Sequence, residues 1–146
     1  MALDIIGLQD AIVADLNAQT FSQALTAERG YNITHVPSDL TTARAVVIPS
    51  EIETISPFDR SQSNTSVSVS IGIQKQLLDQ SNAVVDPWVV LSEDVLNHLT
   101  WVSYPAISGS PQAISAEFPS VLDAELLEKT KVFISVIEIT FKMIGF

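Results

Sequence analysis

The sequence predicts an α+β fold, with a small, mainly antiparallel sheet of four to five strands packed by two main helices. Two stretches repeat apolar residues every three or four positions, one stretch alternates strictly, and the C-terminal run is rich in β-branched and aromatic residues. With 146 residues, the chain is expected to form a single domain over residues 1–146, large enough for a real core.

The first predicted helix runs from Leu3 to Ala18. Its apolar residues recur on one face at Ile5, Leu8, Ile12 and Leu16. Thr20 and the residues after it break this period, and a weakly alternating strand from Gln23 to Tyr31 follows. Residues 32–42, with Pro37, are typical of a connecting loop.

Two strands are predicted in the middle of the chain. Arg44 to Ile48 forms a compact strand that stops at Pro49 and can resume between Glu51 and Ile55. Residues 56–66 are polar and rich in breakers, which predicts a long hairpin loop. In the next strand, Val67, Val69, Ile71 and Ile73 alternate with Ser66, Ser68, Ser70 and Gly72. Its serine-lined face fits a solvated surface or, alternatively, a packing surface for another chain.

The second helix is predicted from Ala83 to Thr100, with an apolar stripe formed by Trp88, Leu91, Val95, Leu99 and Val102. Either Asp86 caps it with Pro87 at the first helical position, or Asn82 caps it and Pro87 lies within about its first turn. Trp88 and Trp101 are expected in the core, because aromatics at helical spacing usually pack.

An irregular loop over residues 103–115, a short strand over 112–119 and a helical turn over 122–128 precede the terminal strand, Lys131 to Phe146. One face of that strand carries Phe133, Ser135, Ile137, Ile139, Phe141 and Met143. The other carries Val132, Ile134 and Val136 before it turns polar at Glu138, Thr140 and Lys142. Its first half is apolar on both faces, so we expect both to be covered, and another subunit can supply the second cover.

Composition favours assembly over a solitary monomer. Hydrophobic residues make up 47% of the chain, but charged residues only 16%, below the quarter or so usual for soluble domains. Part of the surface is therefore expected to be an interface, although a coat of Ser, Thr and Asn is the alternative. The lack of cysteine excludes disulfides and thiolate zinc sites. No signal peptide or membrane-length apolar run is present, which predicts a soluble intracellular protein.

The formal net charge of −10 argues against a protein that grips nucleic acid, since phosphate binding needs clustered Lys and Arg. An acidic protein can still surround DNA without holding it. Plain solubility is the other use of such charge.

No constellation of residues predicts catalysis, so we expect no enzyme, no cofactor and no metal. The two histidines are His35 and His98. His98 follows Asp94 by four helical residues, which predicts a weak surface contact. Glu51 and Glu53 share one strand face but have no partner that would tune an acid. The sequence also contains no glycine-rich phosphate loop and no nucleophile elbow.

The order of segments resembles a protein family of long-tailed bacteriophages. The resemblance rests on the opening helix, on Phe21-Ser-Gln-Ala-Leu-Thr-Ala-Glu-Arg-Gly-Tyr31, on Val46-Val-Ile-Pro-Ser50, on Val67-Ser-Val-Ser-Ile-Gly-Ile-Gln-Lys75 and on Lys131-Val-Phe-Ile-Ser-Val-Ile-Glu-Ile-Thr-Phe-Lys142. The family comprises head–tail connectors of the tail-terminator or tail-completion type, also called minor tail or neck proteins. Pro87 and the loop over residues 103–115 match the family pattern less well.

The resemblance implies a hexameric ring that caps the tail tube and joins it to a head-side connector or stopper protein. DNA would pass through its lumen without specific binding, no membrane would be involved, and the protein would assemble in the host cytoplasm and reside in the virion neck. The implied candidates for subunit or partner contacts are Phe58, Asp59, Arg60, Val132, Ile134, Val136 and Phe141. A tail-tube or stopper/adaptor subunit is the alternative, and a small enzyme or ligand-binding domain is a third possibility.

Overall fold

The computed structural model describes residues 5–31, 42–54, 64–77, 81–107, 110–120, 127–129 and 131–144. In chain order its elements are α1 (Ile5–Ala18), β1 (Leu25–Arg29), β2 (Ala43–Thr54), β3 (Asn64–Gln76), α2 (Asn82–Leu99), β4 (Gln112–Ser120) and β5 (Val132–Ile144). The strands form one sheet in the order β1-β2-β3-β5-β4. Only β1 and β2 pair in parallel, so the predicted α+β class with a mainly antiparallel sheet is confirmed.

Both helices pack on the same face of this sheet. Leu8, Ile12 and Leu16 of α1 join Leu91, Val95 and Leu99 of α2 in one buried cluster. The cluster is completed by the inward side chains of the strands, such as Val69, Ile71, Ile137, Ile139 and Phe141. Both predicted helical stripes are therefore the faces that the helices bury.

The centre of the sheet is the antiparallel pair of β3 and β5. They run in register from Asn64 opposite Ile144 to Gln76 opposite Val132. Every alternating aliphatic residue of β3 is thereby matched to an inward residue of β5, for example Val69 with Ile139. A slip of either strand by one position would turn its own apolar row outward while the partner's row stayed in the core, so the hydrophobic pattern fixes the register.

Strand β2 does not stop at Pro49, as the sequence suggested, but continues to Thr54. The pairing of β1 with β2 ends at Arg29 opposite Val47, so Pro49 lies where β2 has a strand neighbour on one side only. On the other side the proline ring removes no ladder hydrogen bond. The register shifts between Pro49 and Glu51, which marks a bulge where the predicted break lay.

Helix α2 begins earlier than the Asp86–Pro87 interpretation predicts. Ser81 is the N-cap residue, with φ −65° and ψ 152°, and its carbonyl accepts from the amides of Val84 and Val85 at 3.0 Å. Pro87 lies inside the helix, where it removes an i→i−4 hydrogen bond close to the N-terminal end. The alternative with the cap near Asn82 is closer to the observed start.

Several predicted segments fall outside the described residues: the loop over 32–41, most of the loop over 56–66, the turn over 122–126 and the chain ends. Asn64–Ser66, predicted as loop, belong to β3. Strand β4 agrees with the predicted strand over 112–119, and β5 with the terminal strand.

We predict that Ile137→Ala destabilises the chain by about 2–5 kcal/mol, because the side chain is fully buried and its removal leaves a cavity in the core. Denaturant unfolding followed by circular dichroism measures this change. The matched control is Ile6→Ala on the exposed side of α1, which should change stability by less than about 0.5 kcal/mol. Equal effects of the two substitutions would contradict the assigned register.

Candidate assembly surface

The face of the sheet opposite the two helices is a candidate surface, and we call it the open face. Val46, Ser68 and Gln74 on this face are buried, so only part of it is accessible. Its central part is formed by Ser66, Ser68 and Ser70 of β3 together with Ile134, Val136, Glu138, Thr140 and Lys142 of β5. Ser68 and Thr140 face each other across the strands with their hydroxyl oxygens 3.2 Å apart. On the part of this face that β2 contributes, Ile48 is half-buried. Nearby, Arg44 Nη1 lies 3.7 Å from Glu28 Oε2 of β1. The open face therefore mixes small polar, aliphatic and charged groups.

The terminal strand lies partly as the sequence predicts. Val132 is buried, at 6% exposure, whereas Ile134 and Val136 are half-buried. The second face of β5 is thus covered at its start and still partly accessible farther along. Phe141 differs from the expectation for a contact residue, because it is fully buried in the chain's own core with its ring 6.0 Å from that of Tyr104. Phe58, Asp59 and Arg60 lie outside the described residues.

One edge of the sheet, β1, is closed by a side chain of α1. The amide of Asn17 accepts a hydrogen bond from Ala27 N at 2.8 Å and donates one to Ala27 O at 3.1 Å. This two-point contact imitates a neighbouring strand, so the outward backbone groups at the middle of β1 are already satisfied. Gln9 of α1 also contacts the neighbouring strand β2, because its Nε2 donates a hydrogen bond to Val47 O at 2.9 Å.

The other edge, β4, is covered only over its first residues. The segment after α2 runs beside it, with Ala113 N donating to Val102 O at 2.8 Å and Tyr104 N donating to Pro111 O at 2.9 Å. Within the described part of the chain, no backbone hydrogen bond continues this pairing from Ser115 to Phe118. Along that stretch Ser115 and Glu117 are exposed.

Trp101 lies where this covering segment begins, and it was wrongly expected in the core. Its side chain is 77% exposed because α2 ends at Leu99, so the helical spacing does not extend to it. Its φ is 95°, a conformation that costs a bulky residue roughly 1–3 kcal/mol. Trp101, Thr100 and the Ala113–Ala116 stretch of β4 line a surface cavity of ≈ 240 Å³. An exposed tryptophan on a strained backbone beside a cavity is typical of a contact site.

A polar cluster holds this segment in place. The carboxylate of Asp15 on α1 contacts His98 Nε2 at 3.0 Å through one oxygen and accepts from Tyr104 OH at 3.0 Å through the other. The ring of Phe21 packs edge-on against His98 at 5.9 Å. Thr100 Oγ1 donates to Leu96 O at 2.7 Å. Together these contacts fix the chain on both sides of Trp101.

The cluster corrects the predicted pairing of His98, which contacts Asp15 across 83 positions rather than Asp94 on its own helix. Burial, the negative charge of Asp15 and the hydrogen bond to it all raise the pKa of Tyr104 well above its ordinary value. The phenol therefore stays protonated and serves as a donor. Since the cluster contains no nucleophile poised beside a base, its geometry favours a structural role.

The described residues contain neither a metal-binding cluster nor a membrane-spanning helix. No group of three or more His, Cys, Asp or Glu side chains there is arranged to hold a metal ion. In the same described part of the chain, neither α1 nor α2 is long and apolar enough to cross a bilayer.

No protein-family model matches the chain, and no curated protein matches it significantly.

Sequence reasoning missed the features that depend on distant contacts. Asp15 falls on the polar side of the predicted helix, and nothing in its spacing reveals that His98 and Tyr104 converge on it. Asn17 near the end of α1 similarly gives no sign that it pairs with Ala27. Trp101 likewise gave no warning, because the predicted stripe of α2 continued to Val102, whereas the helix ends at Leu99.

We predict that Tyr104 does not ionise in the folded protein near the ordinary tyrosine pKa of about 10. In Tyr31→Phe, Tyr104 is the remaining tyrosine, so ultraviolet absorbance of the phenolate reports on it alone. Since the pKa is raised in the folded state, the associated stability is complete below about pH 10 and is lost as pH rises beyond it.

Absorbance should therefore rise together with unfolding, as followed by circular dichroism. In Tyr104→Phe the alkaline loss of stability should be smaller. Phenolate absorbance with a midpoint near pH 10 in a chain that is still folded would contradict the buried hydrogen bond to Asp15.

Proposed function

We propose that the protein is a structural subunit of a bacteriophage neck, a tail terminator or head–tail connector that assembles into a ring. The open face carries the proposal, because both described helices cover the opposite face while half-buried Ile48, Ile134 and Val136 remain on this one. The resemblance of the sequence to neck proteins supplies the biological setting, and the α+β fold agrees with that family's architecture.

The accessible part of the open face is suited by its composition to a subunit interface. Val46, Gln74 and Val132 are already buried on this face, so the area left for a partner lies around Ile134 and Val136 and beyond them along the strands. The small serine side chains let another backbone approach closely, and the aliphatic residues supply the apolar area.

Ring formation requires a heterologous contact with a fixed rotation between neighbouring subunits. The open face of one subunit would pack against a different surface of the next, and closure would give the hexamer that the resemblance implies. Such a ring ends tube growth because one side pairs with tube protomers while the other presents a different surface to the head-side connector or stopper. The net charge of −10 would keep DNA mobile in the lumen by repulsion.

A tail-tube or stopper/adaptor subunit is the alternative within the same neck region, since those proteins share α+β architecture. A small enzyme or ligand-binding domain would need a deep pocket with convergent polar groups. The cavity beside Trp101 offers an apolar wall with Thr100 and Ser115 at its margin, which favours a protein contact over a substrate site.

We predict that the purified protein sediments as a ring of several subunits, alone or once mixed with its tail-tube or connector partner. Ile134→Glu should shift it toward monomer, because a carboxylate would be buried in the interface without a partner. Light scattering measures the mass, and circular dichroism checks that the variant is folded. Ile6→Glu, which places the same charge on an exposed position of α1, should leave the assembly intact. A wild-type monomer under both conditions would refute the ring.

The position in the virion is tested by electron microscopy of particles made without this protein. Overlong or variable tails are expected for a terminator, because nothing then stops tube polymerisation. Normal but detached tails would indicate a head-side connector, and the absence of tails a tube subunit. Infectious particles of normal appearance would rule out every neck role.

A further inference from the structure

Among the described residues, the outer side of β4 beyond Ala113 has no strand partner, which makes it a template for one more strand. Val102–Tyr104 pair with the start of β4, and the described residues supply no continuation of that pairing beyond Ala113. Ser115 and Glu117 are exposed, and Ile114, at the register shift between Ala113 and Ser115, is 47% exposed. At the opposite edge Asn17 satisfies Ala27, so the two edges of the sheet are treated differently. Natural sheets usually protect their edges, and an unprotected one marks a pairing site.

The cavity beside this edge can take an apolar side chain. It lies between Trp101 and the Ala113–Ala116 stretch. Ala116 points toward the helix-covered side, because it pairs with the fully buried Ile139. In an added strand, the residue beside Ala116 can also point toward the helix-covered side. Its side chain would then contact the indole of Trp101.

The other side of the same edge carries a pair of like charges, and neither carboxylate forms an ion pair with a described residue. Glu117 and Glu138 stand directly opposite each other on β4 and β5, on the open face. Like charges at such positions repel and destabilise the pairing. The nearest described cation along that face of β5 is Lys142, four residues from Glu138, or roughly 13 Å of strand. A cation delivered from outside would relieve the repulsion.

From these three features we infer that β4 binds an extended segment of a different protein as a sixth strand. The segment places an aliphatic side chain in the cavity beside Trp101. The adjacent residue, which faces the open side because side chains alternate along a strand, is a Lys or Arg that contacts Glu117 and Glu138. Backbone hydrogen bonds supply the pairing, and the two adjacent side chains supply the specificity.

A second copy of this chain is disfavoured as the occupant. Antiparallel pairing of two β4 edges would bring the Glu117 residues of both copies close together beside two Glu138 residues. The net charge of −10 adds a general repulsion between copies. The inference does not depend on the neck assignment, since a monomer could bind such a segment as well as a ring.

Selection from a display library of short random peptides tests the inference. The full chain is the bait, and the double variant Trp101→Gly/Glu117→Lys is used for counter-selection. Glycine tolerates the positive φ at position 101, so this change removes the indole without straining the backbone. The expected result is enrichment of peptides in which Lys or Arg adjoins an aliphatic residue. Each single substitution should weaken their binding about tenfold or more.

Matched controls change the same kinds of group elsewhere. Val90→Ala removes exposed apolar area from α2, and Glu93→Lys reverses an exposed charge there, and both should bind the selected peptides like the wild type. Bound peptide should also slow amide hydrogen exchange over Ser115–Phe118, which a contact through side chains alone would not do.

Three results would overturn the inference. The library could yield no enriched peptides, or the enriched peptides could bind the double variant as well as the wild type. Light scattering could instead reveal a dimer that Glu117→Lys strengthens or abolishes, which would make a second copy the occupant. Circular dichroism of each variant separates these results from misfolding. Failure here leaves the ring test through Ile134 unaffected.

Discussion

The in-register pairing of β3 with β5 is the constraint on which the rest of the structure depends. Each strand has one row of aliphatic or aromatic side chains, and both rows must face the helices for the core to exist. That requirement also determines what the other face contains. The serines, Ile134, Val136 and Glu138 are on the open face because their neighbours in sequence are needed in the core. The composition of the proposed interface therefore follows from the packing of the core.

The same constraint reaches the edge of the sheet through β4. Because Ala116 must face Ile139, Glu117 is forced opposite Glu138, and the repulsion between them cannot be relieved by a shift of one residue. The strained backbone at Trp101 has a similar origin. The Asp15 cluster and the pairing of Val102 with Ala113 hold the chain on both sides of Trp101. The backbone of Trp101 must join these two fixed segments, and it does so with a positive φ.

Much of the fold could be predicted from the sequence, because its elements have strong periods. The alternation of Val67 to Ile73 and the helical stripe predicted from Trp88 to Val102 each identify an element and its buried side without further information, although the helix ends at Leu99. Pro49 misled the prediction, since a proline is compatible with a strand wherever one neighbour is missing, and the neighbour of β2 depends on the length of β1. The surface features were less accessible. The contact of Asp15 with His98, the clamp of Asn17 on Ala27 and the apposition of Glu117 with Glu138 join residues that are distant in sequence, and a single chain gives no local sign of them.

The closed state of β1 limits how far the sheet can grow between molecules. Fibre formation by strand addition needs two free sheet edges on every molecule. One edge pairs with the growing fibre, and the other stays free to pair with the next molecule. Here the amide of Asn17 occupies one of the two ends. A molecule can accept a strand at β4 once, but it offers no matching end from which a chain of such events could propagate. By occupying the backbone groups of Ala27, Asn17 thus works against open-ended growth of the sheet through β1.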